Sequence, residues 1–161
     1  MRKLFLPILG AIAIGASGLA LRPTPTPSPA QPLLEGSNID PATLSILERS
    51  CQNCHSQRTQ WPWYSHLPPA SWLVHSDVNR ARAHMNFSQW RSLTADEQRT
   101  LLAEIGTVVR KGIMPPAHYR LLHPASKLSP SERDRIYQWT RTERSRLALL
   151  TRTPTRSVEG H

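Results

Sequence analysis

The pentapeptide Cys51-Gln52-Asn53-Cys54-His55 constrains this chain more than any other stretch. It has the form C-x-x-C-H, the attachment signature of a c-type haem. Two thiols about one helical turn apart can each form a thioether to one haem vinyl group, and the adjacent imidazole can then ligate the iron. Because Cys51 and Cys54 are the only cysteines, we expect one covalent haem c with His55 as an iron ligand.

Three other uses of a C-x-x-C pair stay open on the residues alone. A structural zinc site needs about four nitrogen or sulfur ligands, and the chain has no second cysteine pair. A thioredoxin-type redox pair belongs to a βαβ pattern, which this sequence lacks. A Cys51–Cys54 disulfide would suit an oxidising compartment, but it would leave His55 without a role.

The first 36 residues predict targeting and linker segments. Arg2 and Lys3 precede an uncharged, mostly apolar run from Leu4 to Leu21, which predicts a signal peptide or an N-terminal membrane anchor over residues 1–21. Residues 22–36 are rich in proline and threonine, a composition typical of a stiff linker that packs no core. We therefore expect an exported, periplasmic protein, either soluble or anchored to the inner membrane by residues 4–21.

Residues 37–150 predict a single all-α domain, followed by a polar tail over residues 151–161. Apolar residues recur at helical spacing through this region, and no alternating strand pattern is present. In the helix expected from Ala70, the spacing places Trp72, Leu73 and Val78 on the inward side.

Capping signals mark the expected helix starts. Asp40 precedes a proline at the first helical position, and Thr94 forms a T-x-x-E capping box with Glu97. Ser129 and Glu132 repeat that arrangement before the last helix.

A second candidate iron ligand follows the central helix. Gly112 is placed to end that helix in a left-handed conformation, and Ile113-Met114-Pro115-Pro116 comes next. Prolines restrict the loop, so Met114 is the candidate sixth ligand. The alternatives are a histidine from the same loop, His118 or His123, or a plain core methionine.

Aromatic residues crowd the loop after the motif, at Trp61, Trp63 and Tyr64. Large rings in a loop need apolar surface to cover, and a porphyrin face or edge would provide it. Ordinary loop packing explains the same residues equally well.

The formal net charge is +9. A basic surface favours an acidic redox partner protein or an anionic membrane face, and a solvated arginine-rich surface is the plain alternative. Export argues against nucleic acid as a partner.

Beyond these patterns, the sequence resembles the bacterial haem-binding domain family, which is related to c-type cytochromes. The resemblance covers roughly residues 40–142 and rests on CQNCHSQRTQWPWYSHLPPASWLVHSDVNRARAHMNFSQW, GIMPPAHYRLLHPASKLS and the E-x-x-x-I-x-x-W run from Glu132. It implies a cytochrome c-like helical domain with covalent haem on Cys51 and Cys54 and His55 as axial ligand. Met114 falls where the methionine ligand of a c-type cytochrome would be.

The function expected from these observations is electron transfer by a monohaem c-type cytochrome domain, without enzymatic activity. No side chain in the sequence stands out as a general acid or base. A haem-based redox or gas sensor is the alternative if Met114 does not hold the iron. A peroxidase-like enzyme, with His118 or His84 as distal acid–base group, is a weaker alternative.

Overall fold

The computed structural model describes residues 32–152, and this part of the chain is helical without a β-strand. Three short 3-10 helices, Trp63–His66, Phe87–Ser92 and Pro124–Ser126, separate six α-helices. The all-α prediction is thus confirmed. The α-helices are α1 (Pro41–Ser50), α2 (Gln52–His55), α3 (Ala70–His84), α4 (Ala95–Arg110), α5 (Ala117–Leu122) and α6 (Pro130–Arg152).

Several predicted segments lie outside the described residues. These are the signal or anchor over residues 1–21, the first part of the linker and the tail from residue 153. Within residues 32–152, no helix is both long and apolar enough to cross a membrane.

Each of the three predicted capping signals starts a helix. The Asp40 carboxylate accepts hydrogen bonds from the Thr43 backbone N–H at 3.0 Å and from the Thr43 hydroxyl at 2.6 Å, and these bonds lower the pKa of Asp40. In the capping box of α4, Thr94 and Glu97 satisfy each other's backbone N–H groups. Ser129 and Glu132 form the same pair of reciprocal hydrogen bonds at the start of α6.

Helices α4 and α6 pack along each other and form the centre of the core. A Cβ at Gly106 would lie 2.7 Å from the Thr140 hydroxyl oxygen and 3.3 Å from the Tyr137 ring. Glycine therefore permits the close approach of these two helices. The contact buries apolar residues from both helices, namely Leu102, Ile105, Val109, Ile136, Trp139 and Leu147.

The C-terminal end of α4 is a Schellman motif. Gly112 has φ +69°, its N–H donates to the Val109 carbonyl at 3.0 Å, and the Ile113 N–H donates to the Val108 carbonyl at 3.0 Å. The left-handed glycine predicted from the sequence is thus confirmed, and the turn leads directly into Met114.

The segment before α1 belongs to the core, although the sequence assigns its leucines to the linker. Leu33 and Leu34 are 6% and 1% exposed. The Leu34 N–H donates to the Phe87 carbonyl at 2.9 Å, and the Asn38 N–H donates to Glu143 Oε1 at 3.1 Å. Within the described residues, the core therefore includes Leu33 and Leu34, because two adjacent leucines bury apolar area. The proline-rich composition around them gives no sign of this burial.

Helix α3 is less deeply packed than its sequence predicts. Val78 is buried as expected, but Trp72 is 71% exposed and Leu73 is 52% exposed. The prediction was wrong for Trp72 because helical spacing defines a face without showing how much of it the other segments cover.

Candidate functional site

A mostly apolar cavity of about 370 Å³ is lined by residues of α1 to α5. A cavity of this size and character is the default position for a small-molecule or cofactor site. Its apolar lining includes Leu47, Val78, Phe87, Ile105, Val108 and Val109.

Both cysteines lie on the cavity wall. Cys51 ends α1, with its N–H donating to the Leu47 carbonyl at 2.8 Å, and Cys54 lies within the single turn of α2. Neither forms a disulfide, and each is half-buried. The α1–α2 break thus presents two thiols from one short turn to the same apolar space.

Burial keeps these thiols protonated at neutral pH. It raises the pKa of Cys51 to about 12 and also raises the pKa of Cys54. Reactive C-x-x-C redox pairs have lowered pKa values instead, so burial shifts the pKa of both thiols in the opposite direction. Within residues 32–152, no group of three or more His, Cys, Asp or Glu side chains could hold a metal ion.

His55 is oriented by a backbone carbonyl from another part of the chain. Its Nδ1 lies 3.1 Å from the Met85 carbonyl oxygen, which can only accept, so Nδ1 carries the proton and Nε2 keeps its lone pair. The imidazole stacks on Phe87 with ring centroids 5.7 Å apart. Burial lowers the pKa of His55, which favours the neutral form that binds iron.

Met114 lines the same cavity as His55. It is half-buried, and its backbone N–H donates to the Val108 carbonyl at 3.4 Å. The structure therefore brings both predicted iron ligands to one site.

The two alternative ligands also line the cavity, but Nε2 of each ring has a hydrogen-bond partner. His118 Nε2 lies 2.9 Å from Asp77 Oδ2. His123 Nε2 lies 2.5 Å from the Tyr64 hydroxyl, and its ring stacks on Tyr119 at 4.3 Å. Iron ligation by either histidine through Nε2 would require these hydrogen bonds to break.

The three predicted aromatic contacts fall in different places. Tyr64 lines the cavity, whereas Trp61 and Trp63 are not among its lining residues. Trp61 stacks on His75 at 4.6 Å, and Trp63 is 75% exposed. Contact of these tryptophans with a bound group stays a prediction.

Sequence reasoning missed Asn53, which it treated as a spacer between the cysteines. The Asn53 Nδ2 group donates to the Tyr119 hydroxyl at 3.0 Å, and Oδ1 accepts from the Gln60 N–H at 3.1 Å. Its backbone carbonyl accepts from the Thr59 hydroxyl at 2.5 Å. No signal in the sequence could have found these partners, because the x positions of C-x-x-C-H are variable by definition.

Taken together, the residues present fit a haem. The cavity is largely apolar, as a porphyrin requires, and two thiols with vinyl-attachment spacing lie on its wall. His55 has one nitrogen committed to a carbonyl and the other available as a ligand.

Known proteins point to the same cofactor. The profile of a family described as a haem-binding domain matches residues 12–142. Cytochrome c peroxidase Ccp from Escherichia coli (strain K12) is 32% identical over 103 residues, which are 62% of this chain and 22% of that protein. The chain thus spans less than a quarter of this relative's length. No solved structure matches the chain at a significant level.

Proposed function

The chain belongs to the haem-binding domain family, and on that premise we propose that it is an exported, monohaem c-type cytochrome domain that transfers electrons. The observation that carries the proposal is the placement of Cys51, Cys54 and His55 on the wall of one apolar cavity. A haem bound there supplies the one-electron iron couple. The protein provides attachment, axial ligands and a medium of low polarity.

His55 is the proposed proximal ligand. The Met85 carbonyl holds its Nδ1–H and thereby fixes both the tautomer and the ring orientation. Stacking on Phe87 restricts the ring further. These contacts preorganise Nε2 for the iron.

Met114 is the proposed sixth ligand. Its side chain makes no hydrogen bond within the described residues, whereas Nε2 of His118 is engaged by Asp77 and Nε2 of His123 by Tyr64. The rigid turn at Gly112 precedes it by two residues. Because proline follows directly, the loop has few other conformations available.

A docking surface for an acidic redox partner lies at the proposed opening of the cavity. Residues that line the cavity and are also exposed mark this opening, namely Gln60, Leu73, Arg80, His84, His118 and Leu122. Exposed leucines suit a small transient interface, and the net charge of +9 would steer an acidic protein towards it. In this proposal residues 1–21 export the domain or anchor it at the membrane.

Peroxidase-like chemistry is the second candidate function, and the similarity to a cytochrome c peroxidase favours it. The similar region is 22% of that protein, so it is equally compatible with an accessory haem domain that exchanges electrons. An open sixth iron position would favour the peroxidase, whereas ligation by Met114 favours the carrier.

Expression with c-type maturation machinery tests the proposal. We expect haem staining of the denatured parent protein and none in a Cys51→Ser/Cys54→Ser variant, because the thioethers would be absent. Met114→Ala should lower the reduction potential and admit CO to the ferrous protein. Stained haem in the double variant would refute covalent attachment. Peroxide turnover by a parent protein that binds CO freely would support the peroxidase.

A further inference from the structure

Asn53 occupies the second spacer position of the attachment motif, and its hydrogen bonds join this turn to Tyr119, Gln60 and Thr59. Within the part of the chain that the structure describes, its bond to Tyr119 is the only hydrogen bond between α2 and α5. Both residues line the cavity and both are half-buried. The Asn53 side chain thus spans from the cysteine turn to the helix that follows Met114.

Helix α5 is closely linked to Met114. It begins at Ala117, three residues after the methionine, and the intervening residues are two prolines. Arg120 Nη1 donates to the Gly112 carbonyl at 3.3 Å, which ties α5 back to the turn before Met114. A displacement of α5 would therefore move the Met114 loop.

The same bond affects the alternative ligand. Tyr119, held by Asn53, stacks on His123, and His123 Nε2 is in turn engaged by Tyr64. The ring of His123 is therefore confined between two tyrosines, one of which Asn53 positions.

The attachment turn is supported from its other side as well. Arg82 Nε donates to the Ser56 carbonyl at 2.8 Å, and Arg82 Nη2 donates to the Thr59 hydroxyl at 2.7 Å. Thr59 in turn donates to the Asn53 carbonyl. The backbone around Asn53 is held in place, so its amide can act as a fixed point for α5.

We propose that Asn53 is a positioning residue, which acts through Tyr119 to hold the Met114 loop over the cavity. This inference rests on the proposed function, since it assigns Asn53 to the choice of sixth ligand. It makes a spacer residue of the motif a determinant of axial ligation.

Ligand binding to the haem-loaded full chain tests the inference. Asn53→Ala and Tyr119→Phe should each raise the affinity of the ferrous protein for CO about two- to tenfold, the population shift that one ordinary hydrogen bond supports. Tyr119→Phe keeps the ring on His123, so it isolates the hydroxyl. Gln52→Ala is the matched control, because this neighbouring spacer makes no side-chain hydrogen bond in the described residues, and it should match the parent.

The double variant separates positioning from general destabilisation. If one bond carries the effect, Asn53→Ala/Tyr119→Phe should bind CO no more tightly than the more affected single variant. Equal CO affinities in Asn53→Ala, Tyr119→Phe and Gln52→Ala would overturn the inference. The parent and Met114→Ala test the proposed function independently, since a six-coordinate parent whose sixth position opens to CO in Met114→Ala supports Met114 ligation whatever the Asn53 and Tyr119 variants do. A parent without a sixth ligand would overturn both proposals.

Discussion

At the scale of single residues, burial determines the chemistry of the two cysteines. The sequence predicts that they attach a haem, but their spacing is shared with redox-active pairs that react through a thiolate. The apolar wall raises the pKa of Cys51 to about 12 and so suppresses the thiolate. The Met85 carbonyl fixes the tautomer of His55, because it accepts a hydrogen bond from Nδ1.

Cys51 should therefore be unreactive in the folded, haem-free protein. In a Cys54→Ser variant at pH 8, we expect alkylation of Cys51 roughly a thousandfold slower than in the same protein unfolded in urea, because the thiolate fraction falls tenfold per unit of pKa. The pKa of Cys51 is higher in the folded protein than in the unfolded chain, so the unfolded chain loses this proton first. The free energy of unfolding should therefore fall as pH rises from about 9 towards 12. An alkylation rate that levels off near pH 9 would contradict the raised pKa.

At the scale of elements, helix α4 connects the core to the site. Its Thr94–Glu97 capping box starts it, Gly106 allows α6 to pack closely, and Gly112 ends it just before Met114. Gly106 acts through a close contact with α6, and Gly112 acts through its backbone conformation. Substitutions at these two glycines therefore separate the packing of α4 on α6 from the geometry of the loop that carries Met114.

Gly106→Ala should destabilise the fold by about 1–3 kcal/mol, because the new Cβ would lie 2.7 Å from the Thr140 hydroxyl. In a helix with free space the same change would stabilise by about 0.5–1 kcal/mol, so the sign of the effect tests the contact. Urea unfolding of Gly106→Ala, Thr140→Ala and the double variant measures it. The double variant should lose less than the sum of the single losses.

Gly112→Ala should cost about 1–2 kcal/mol, since φ at this position is +69°. Gly36→Ala is the matched control, with φ +88° and no atom within 4 Å of the added Cβ. Both variants should lose similar stability in thermal unfolding. Only Gly112→Ala should also increase CO binding to the haem-loaded protein, because only that turn positions Met114. Parent-like CO binding in Gly112→Ala would contradict this role.

At the scale of the whole molecule, a buried carboxylate joins the N-terminal segment to the last helix. Glu143 is 1% exposed, and it accepts from the Asn38 N–H and from the Arg146 guanidinium at 2.6 and 2.8 Å. The Trp139 indole N–H donates to the Asn38 carbonyl at 3.0 Å. These bonds hold the segment that carries Leu33 and Leu34 against the core.

Glu143→Ala should therefore destabilise the domain by about 1.5–3 kcal/mol, the usual range for hydrogen bonds to a charged group. Asp96→Ala, which removes the exposed ion pair with Arg99, should cost less than about 1 kcal/mol. Urea unfolding measures both changes. Limited proteolysis should show faster cleavage between residues 32 and 40 in Glu143→Ala only, and equal cleavage in both variants would contradict the link.

Short-range features of this protein could be predicted from its sequence alone. The cysteine spacing, the caps at Asp40, Thr94 and Ser129, and the left-handed Gly112 all follow from residues within about four positions of each other. That is the range over which a helical turn places side chains and backbone groups in contact. The all-α class followed from the same local periodicity.

Tertiary structure decided the features that depend on distant segments. The His55 partner Met85 lies 30 positions away, and the Asn53 partner Tyr119 lies 66 positions away. The burial of Leu34 and the exposure of Trp72 depend on which segments cover them. Local spacing determines where a side chain points along its own helix, but burial and long-range hydrogen bonds depend on what the rest of the chain packs against that face.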